Sequence, residues 1–186
     1  CGQGLDWVLD QKNKSQKNEI TAPRILAYTS FGQGSKNGIN SPSEAVEWIR
    51  KNKEKGADGV KFFGSRPDIF KAALQENKRI GLRSACHHAQ MDVAEMNVLQ
   101  TARNGLTTME HWYGLPEALF ENKTIQNYPL DYNYMNEGNR FEEAGKLWKQ
   151  AAEPYSKKWN DVMNELISLD FTIDVTFVPY SVFRDV

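Results

Sequence analysis

Three glycines at near-constant spacing, Gly56, Gly81 and Gly105, constrain this chain of 186 residues more than any other feature. They lie 25 and 24 residues apart, about the length of one short helix plus one strand. Each closes a stretch with helical periodicity and opens a short apolar segment of β type. The first such helix starts at Ser41-Pro42-Ser43-Glu44, where serine can cap, proline suits the first helical position and glutamate completes a capping box. Ala45, Val46, Trp48 and Ile49 form its apolar face. Ser65-Arg66-Pro67-Asp68 opens the second, with Ile69, Phe70, Ala73 and Leu74 facing inward, and Val93, Met96, Leu99 and Ala102 mark the third. A further helix is expected over 4–19, apolar at Leu5, Trp7, Val8 and Leu9 and solvated beyond Gln11.

Strands are expected at 24–30, 58–63, 82–87, 106–111 and 171–177. Strands alternating with helices of this size predict an α/β fold, a parallel sheet with helical cover and right-handed crossovers. The rhythm breaks over 112–139, where Trp112, Tyr113, Phe120, Tyr128, Tyr132 and Tyr134 stand among prolines and asparagines. Two helical patterns follow, separated at Pro154, the second carrying Trp159, Val162, Met163 and Leu166.

Composition excludes more than it assigns. A formal net charge of −1 gives no electrostatic reason to expect a nucleic acid or an anionic membrane as partner. No apolar run approaches the roughly 18 residues of a membrane span, and the first residues of the portion in view do not resemble a targeting segment. Cys1 and Cys86 make no disulfide framework, and Cys86, inside an apolar strand, reads as a small packed hydrophobe. The glycine-rich loop from Phe31 to Asn40 lacks the Gly-Lys-Ser/Thr of a phosphate loop and reads as a flexible connection.

The residues that carry chemistry cluster at strand ends. All three histidines sit there: His87 and His88 close the segment after Gly81, and His111 closes the segment after Gly105. His87 and His111 each stand six residues past their glycine, and Lys61 stands five past Gly56. In parallel α/β folds the C-terminal ends of strands are where catalytic groups collect. Neutral imidazoles from different strands converge readily on one divalent ion, which lowers the pKa of a water to about 7 and so readies it to attack a carbonyl. Lys61 can join such a set only after its amine reacts with CO2 to give an anionic carbamate; otherwise it is a lysine with a buried stem and a carboxylate partner. Strand alternation puts Cys86 and His88 on one face and His87 on the other, and a small bulge would exchange His87 and His88.

These residues also carry a resemblance. Gly59-Val60-Lys61-Phe62-Phe63, Gly81-Leu82-Arg83-Ser84-Ala85-Cys86-His87 and Gly105-Leu106-Thr107-Thr108-Met109-Glu110-His111 resemble the metal-dependent amidohydrolase superfamily, nearest to its imidazolonepropionase- and prolidase-like members. The resemblance extends over about residues 20–112 and, more loosely, 170–180. It implies a (β/α)8 barrel of the TIM type, with Lys61 at the fourth strand, His87 (or His88) at the fifth and His111 at the sixth. It further implies one or two divalent ions, zinc foremost, a carbamate on Lys61, and hydrolysis of C–N bonds in amides, cyclic amides or dipeptides. The family's first-strand His-x-His is absent, and its eighth-strand aspartate has no clear counterpart, Asp174 falling on the seventh strand and Asp185 matching by position alone.

A complete barrel takes about 250 residues. The chain is therefore expected to be a single partial barrel domain of five strands, the third to the seventh. Residues 113–169 would be an inserted aromatic and helical subdomain, with Trp112 to Tyr134 as a lid or substrate wall. Open sheet edges would favour a homo-oligomer or association with missing segments. Two other readings stand beside this one. Gly56-Ala57-Asp58-Gly59-Val60-Lys61 is similar to the strand of deoxyribose-phosphate-type aldolases that bears the Schiff-base lysine, though Phe62-Phe63-Gly64-Ser65 replaces that family's Thr-Ser-Thr-Gly. A truncated, catalytically inactive fragment is the third.

Overall fold

The computed structural model describes residues 3–90, 92–122 and 126–177. Its elements run α1 (Leu5–Gln16), β1 (Tyr28–Ser30), α2 (Pro42–Glu54), β2 (Gly59–Phe62), α3 (Pro67–Arg79), β3 (Arg83–His87), α4 (Val98–Arg103), β4 (Thr108–Glu110), α5 (Leu115–Ala118), α6 (Glu137–Lys146), α7 (Lys157–Ser168) and β5 (Thr172–Asp174). The strands form a five-stranded parallel sheet in chain order. No helix among the described residues is long and apolar enough to cross a membrane. The chain divides into two compact units, Cys1–His87 with Asn104–Thr107, and His88–Arg103 with Thr108–Val186.

In the first unit the local signals act as the sequence predicts. The Ser41 side chain accepts from Glu44 N–H at 3.3 Å, while the Glu44 carboxylate reaches back to Asn40 N–H at 2.7 Å, one residue before the cap. Gly56 and Gly81 sit past the ends of α2 and α3 at φ +104° and +69°, left-handed values that residues bearing a β-carbon adopt at a cost. The α3 cap falls on Arg66, which makes no side-chain capping bond; Pro67 at the first helical position sets the start instead. α2 packs on α3, and the core lies on the helix side of the strands, where Phe62 contacts Phe31 at 4.9 Å and Phe70 at 5.0 Å between ring centroids. At the opposite end of β2 from the strand terminus, Asp58 clamps three segments: it accepts from Lys12 Nζ at 2.6 Å and from Ala27 N–H at 2.7 Å. Burial alone would raise the Asp58 carboxyl, but these bonds outweigh it and hold it below the ordinary carboxylate value.

The second unit departs from the predicted pattern. Val93 and Met96 are buried, yet they sit in turns, and the regular helix begins only at Val98. Asn97 is the reason: its side-chain oxygen accepts from Leu99 N–H at 3.1 Å and Gln100 N–H at 3.2 Å, a capping geometry that starts a helix there. Met109, Val98, Leu99, Leu115, Leu119, Val162 and Leu166 form the core of this unit, with Ile173 and Trp159 packed against it. Ser156 caps α7, two residues past the break at Pro154.

Candidate functional site

Register decides which side chains share a face. β2 and β3 pair in parallel with Lys61 opposite Ala85 and Phe62 opposite Cys86, and β1 places Ser30 opposite Lys61. Side chains two apart on a strand share a face. Val60, Phe62, Ser84 and Cys86 therefore point toward the helices, and all are buried. Tyr28, Ser30, Lys61, Phe63, Ala85 and His87 lie on the other face. Two ring contacts agree with this assignment: the Lys61 ammonium lies 5.7 Å from the Phe63 centroid, and the His87 ring lies 6.0 Å from it. Lys61 is 6 % exposed and His87 half-buried, so the amine is withdrawn from water while the imidazole stays reachable.

Gly59 helps to shape this face. It stands opposite Tyr28, and a β-carbon there would come within 2.5 Å of the tyrosine ring and 2.9 Å of Arg83 O. Only glycine lets the Tyr28 ring lie across the strand beside Lys61. Thus the first unit brings together two of the expected residues, Lys61 and His87, each at the C-terminal end of its strand, and adds Tyr28 and Phe63.

His111 belongs to the second unit and is held by β5. Its N–H donates to Asp174 O at 2.7 Å, and its Nδ1 shares a hydrogen bond with Thr176 Oγ1 at 2.8 Å. Both residues adopt left-handed backbone, His111 at φ +64° and Thr176 at +58°. For a β-branched residue such a φ is a true outlier, and it persists only where the surroundings over-determine it. The imidazole is thereby fixed in orientation from a residue 65 positions away. Asp174 itself pairs with Glu110 across β4 and β5, and its carboxylate accepts from Thr176 N–H at 3.4 Å. Asp185 lies outside the described residues.

His88 also falls in the second unit, buried at 2 % exposure. Its Nε2 meets Thr101 Oγ1 at 2.9 Å, and that hydroxyl donates to Val98 O at 2.9 Å. With its proton committed to the carbonyl, the hydroxyl accepts from Nε2, so the ring is engaged with α4. Among the described residues no group of three or more His, Cys, Asp or Glu side chains is placed to hold a metal ion. Cys86 is in no disulfide and is fully buried, facing the helices, as its sequence context suggests.

Glu117 is a buried charged group that the sequence reading did not single out. Glu117, 6 % exposed in α5, accepts from Gly114 N–H at 3.1 Å and from the Gln126 side-chain amide, which also donates to Gln90 O at 2.8 Å. Burial raises its carboxyl above the ordinary value, against the lowering effect of those donors. Burial, with Glu117 nearby, also pushes the Tyr128 phenol up. The spacing Gly114 to Glu117 is a helix-start signature that sequence could have flagged; Gln126 carries no such mark.

No family model matches this sequence. No curated protein sequence is similar to it. Among solved structures, the chain is similar to a protein of Bifidobacterium longum assigned as a prolidase, at 16% identity and TM-score 0.46, over 65% of this chain and 32% of that one. It is also similar to a Xaa-Pro dipeptidase with methionine bound in its active site, at 15% identity and TM-score 0.49, over 94% of this chain and 53% of that one. The chain thus spans about a third and about half of the lengths of these two proteins.

Proposed function

We propose that this chain carries part of the active site of a metal-dependent hydrolase of C–N bonds, built on a (β/α)8-type barrel domain with residues 113–169 as an insertion. Its substrates are small amides, cyclic amides or dipeptides. Lys61, His87 and His111 are its contribution to the metal-binding strand ends, with His87 preferred to His88 because His87 shares the Lys61 face of the sheet while the buried His88 ring bonds to Thr101 of α4.

One observation carries this reading: the parallel register that sets Lys61 and His87 on one face at neighbouring strand ends. A withdrawn lysine at such a place is the amine that carbamate formation needs, and a half-buried imidazole lies on the same face. His111 supports it independently, because a strained backbone and the Thr176 bond orient its ring.

Two imidazoles and a modified lysine equal in number the three protein ligands of one open catalytic zinc site, and a second ion needs ligands beyond them. The donor chemistry therefore fits one zinc ion and only part of a two-metal centre. When bound, such an ion would supply Lewis-acid polarisation of the scissile carbonyl. The chain's own residues hold the remaining roles: Phe63 and Tyr28 wall the face beside Lys61, and Thr176 fixes the His111 ring.

The test is zinc retention after dialysis, measured on wild type beside Lys61→Ala, His87→Ala and His111→Ala, with hydrolysis of a dipeptide panel read in parallel. Wild type is expected to retain zinc and each variant to lose about tenfold or more in affinity. Variants that retain as much as wild type, or a wild type that retains none, would overturn the assignment to these residues. A borohydride-reduced carbonyl adduct on Lys61 would overturn it in favour of Schiff-base chemistry.

A further inference from the structure

Trp148, Ala151, Ala152, Glu153, Pro154 and Trp159 line a cleft of about 240 Å³ in the second unit. Its walls are preorganised. Trp148 leans on Trp112 at 5.8 Å between ring centroids, and Trp159 packs on the core from the first turn of α7, where Ser156 Oγ accepts its N–H at 3.3 Å. The floor is held as well: Ala152 N–H donates to Leu119 O at 3.0 Å, and Ala151 bridges to Phe120. Ala151 and Ala152 add only methyl groups to this lining.

Charge narrows what the cleft takes. Glu153 is exposed at the rim and makes no salt bridge with any described residue. Of the cations of α7, Lys157 pairs with Asp161 at 2.7 Å, and neither it nor Lys158 forms a salt bridge with Glu153. Lys149, exposed on the 3-10 turn before the cleft, is the remaining cation of this stretch. Two indoles and a carboxylate around one cleft are the groups that attract a weakly hydrated organic cation, through ring quadrupole and charge together. The neighbouring Tyr155 adds a strained element: it holds φ +65° with its side chain 85 % exposed, and Asn160 Nδ2 pins its carbonyl at 2.9 Å. An outlier of this kind beside a cleft is found where a ligand is clamped.

We propose that this cleft binds a trimethylammonium group, either on a small free molecule or on a methylated lysine side chain. Its volume suits one such head group rather than a drug-sized ligand, which needs about 300 Å³ or more.

The test follows the indole N–H signals of Trp148 and Trp159 by NMR, assigned with Trp148→Phe, during titration with choline chloride. Sodium chloride and the neutral isostere 3,3-dimethylbutan-1-ol serve as controls. Choline is expected to shift both signals saturably, with the neutral isostere about tenfold weaker or worse. Binding is expected to weaken severalfold in Glu153→Gln, a surface change that leaves the melting temperature unaltered. Equal binding of the neutral isostere, unchanged binding in Glu153→Gln, or no saturable shift up to about 100 mM choline would each overturn the proposal. A trimethyl-lysine peptide, titrated in parallel, separates the two sources: tighter binding than choline marks a side chain, weaker binding a free ligand.

Discussion

In the first unit the chain turns on glycine, whereas in the second it turns on residues that carry side chains. Among the described residues eight glycines have positive φ: seven (Gly32, Gly34, Gly38, Gly56, Gly64, Gly81 and Gly105) lie in the first unit and one, Gly114, in the second. The described residues other than glycine with positive φ distribute the opposite way: Asn18 in the first unit, and His111, Tyr155, Asp170 and Thr176 in the second. A left-handed backbone costs a residue with a β-carbon about 1–2 kcal/mol, so the second unit, with four such described residues against one, stores more of this strain than the first. Two of those four residues form the His111–Thr176 pair and a third flanks the tryptophan cleft. The regular unit is a scaffold on which local preference and tertiary structure agree; the strained one holds side chains in places that local preference would not choose.

Buried polar groups follow the same division. In the first unit Glu76 is covered by its own partners, Arg79 and Arg50, whose hydrogen bonds pull its carboxyl down to about 2. In the second, Glu117 is covered by protein, and burial pushes its carboxyl up. One carboxylate is stabilised by charge, the other made costly by desolvation.

The comparison can be broken at several points. The largest effect is expected from Phe62→Ala, which empties the ring contacts with Phe31 and Phe70 at a fully buried position. It should cost about 3–5 kcal/mol in urea denaturation. A cost below about 1 kcal/mol would mean that the regular unit is not tightly packed.

Gly105→Ala comes next. Its β-carbon would stand 2.9 Å from Lys78 Cβ and 3.1 Å from Leu74 O, on a backbone at φ +108°. Strain and crowding together should cost about 2 kcal/mol or more by thermal melting.

The two glutamates predict opposite pH responses. The folded Glu76 carboxyl lies below its unfolded value of 4.5, so its contribution is present above that pH and lost as pH falls toward about 2. Its arginine partners are exposed, and solvent screening limits the pair to about 1 kcal/mol. Glu117 is raised, so its contribution is present below the ordinary carboxylate value and lost as pH rises through the folded one. Melting temperature against pH should therefore lose part of its acid slope in Glu76→Gln. In Glu117→Gln the decline on the higher-pH side should flatten; parallel profiles for both variants would show that neither carboxylate is set by its surroundings as described.

The smallest effect is expected from Asp170→Gly, an exposed left-handed position at φ +54°. Glycine there should gain at most about 1 kcal/mol, since aspartate tolerates this conformation better than most residues. A loss would mean that Asp170 is not strained.

What was readable in the sequence divides along the same line. All five strands appear where alternation and glycine spacing put them, shorter by one or two residues at an end in most cases, as frayed ends carry no periodic signal, but by four residues at the start of β1 and three at the end of β5. The caps at Ser41 and Ser156 act locally and could be read locally or inferred from the break at Pro154. The helix expected from Val93 onward begins five residues later, since a buried apolar residue in a turn and one in a helix give the same pattern. At the candidate site the strand-end placement of Lys61, His87 and His111 was legible. The Thr176 bond to His111 and the Gln126 bond to Glu117 were not, because both join residues with no periodic relation.

By itself, then, the sequence determined the alternation of helices and strands, the glycine stops, and the strand ends on which lysine and histidines fall. Those follow from backbone preference and from periods of 3.6 and 2, which act within a few residues. Only the tertiary structure decided that Lys61 and His87 share the face opposite the helices, that His88 is bound to α4, and that His111 is held in a strained conformation by Thr176. Register, burial and long-range hydrogen bonds set these outcomes, and they exist only once distant segments have come together.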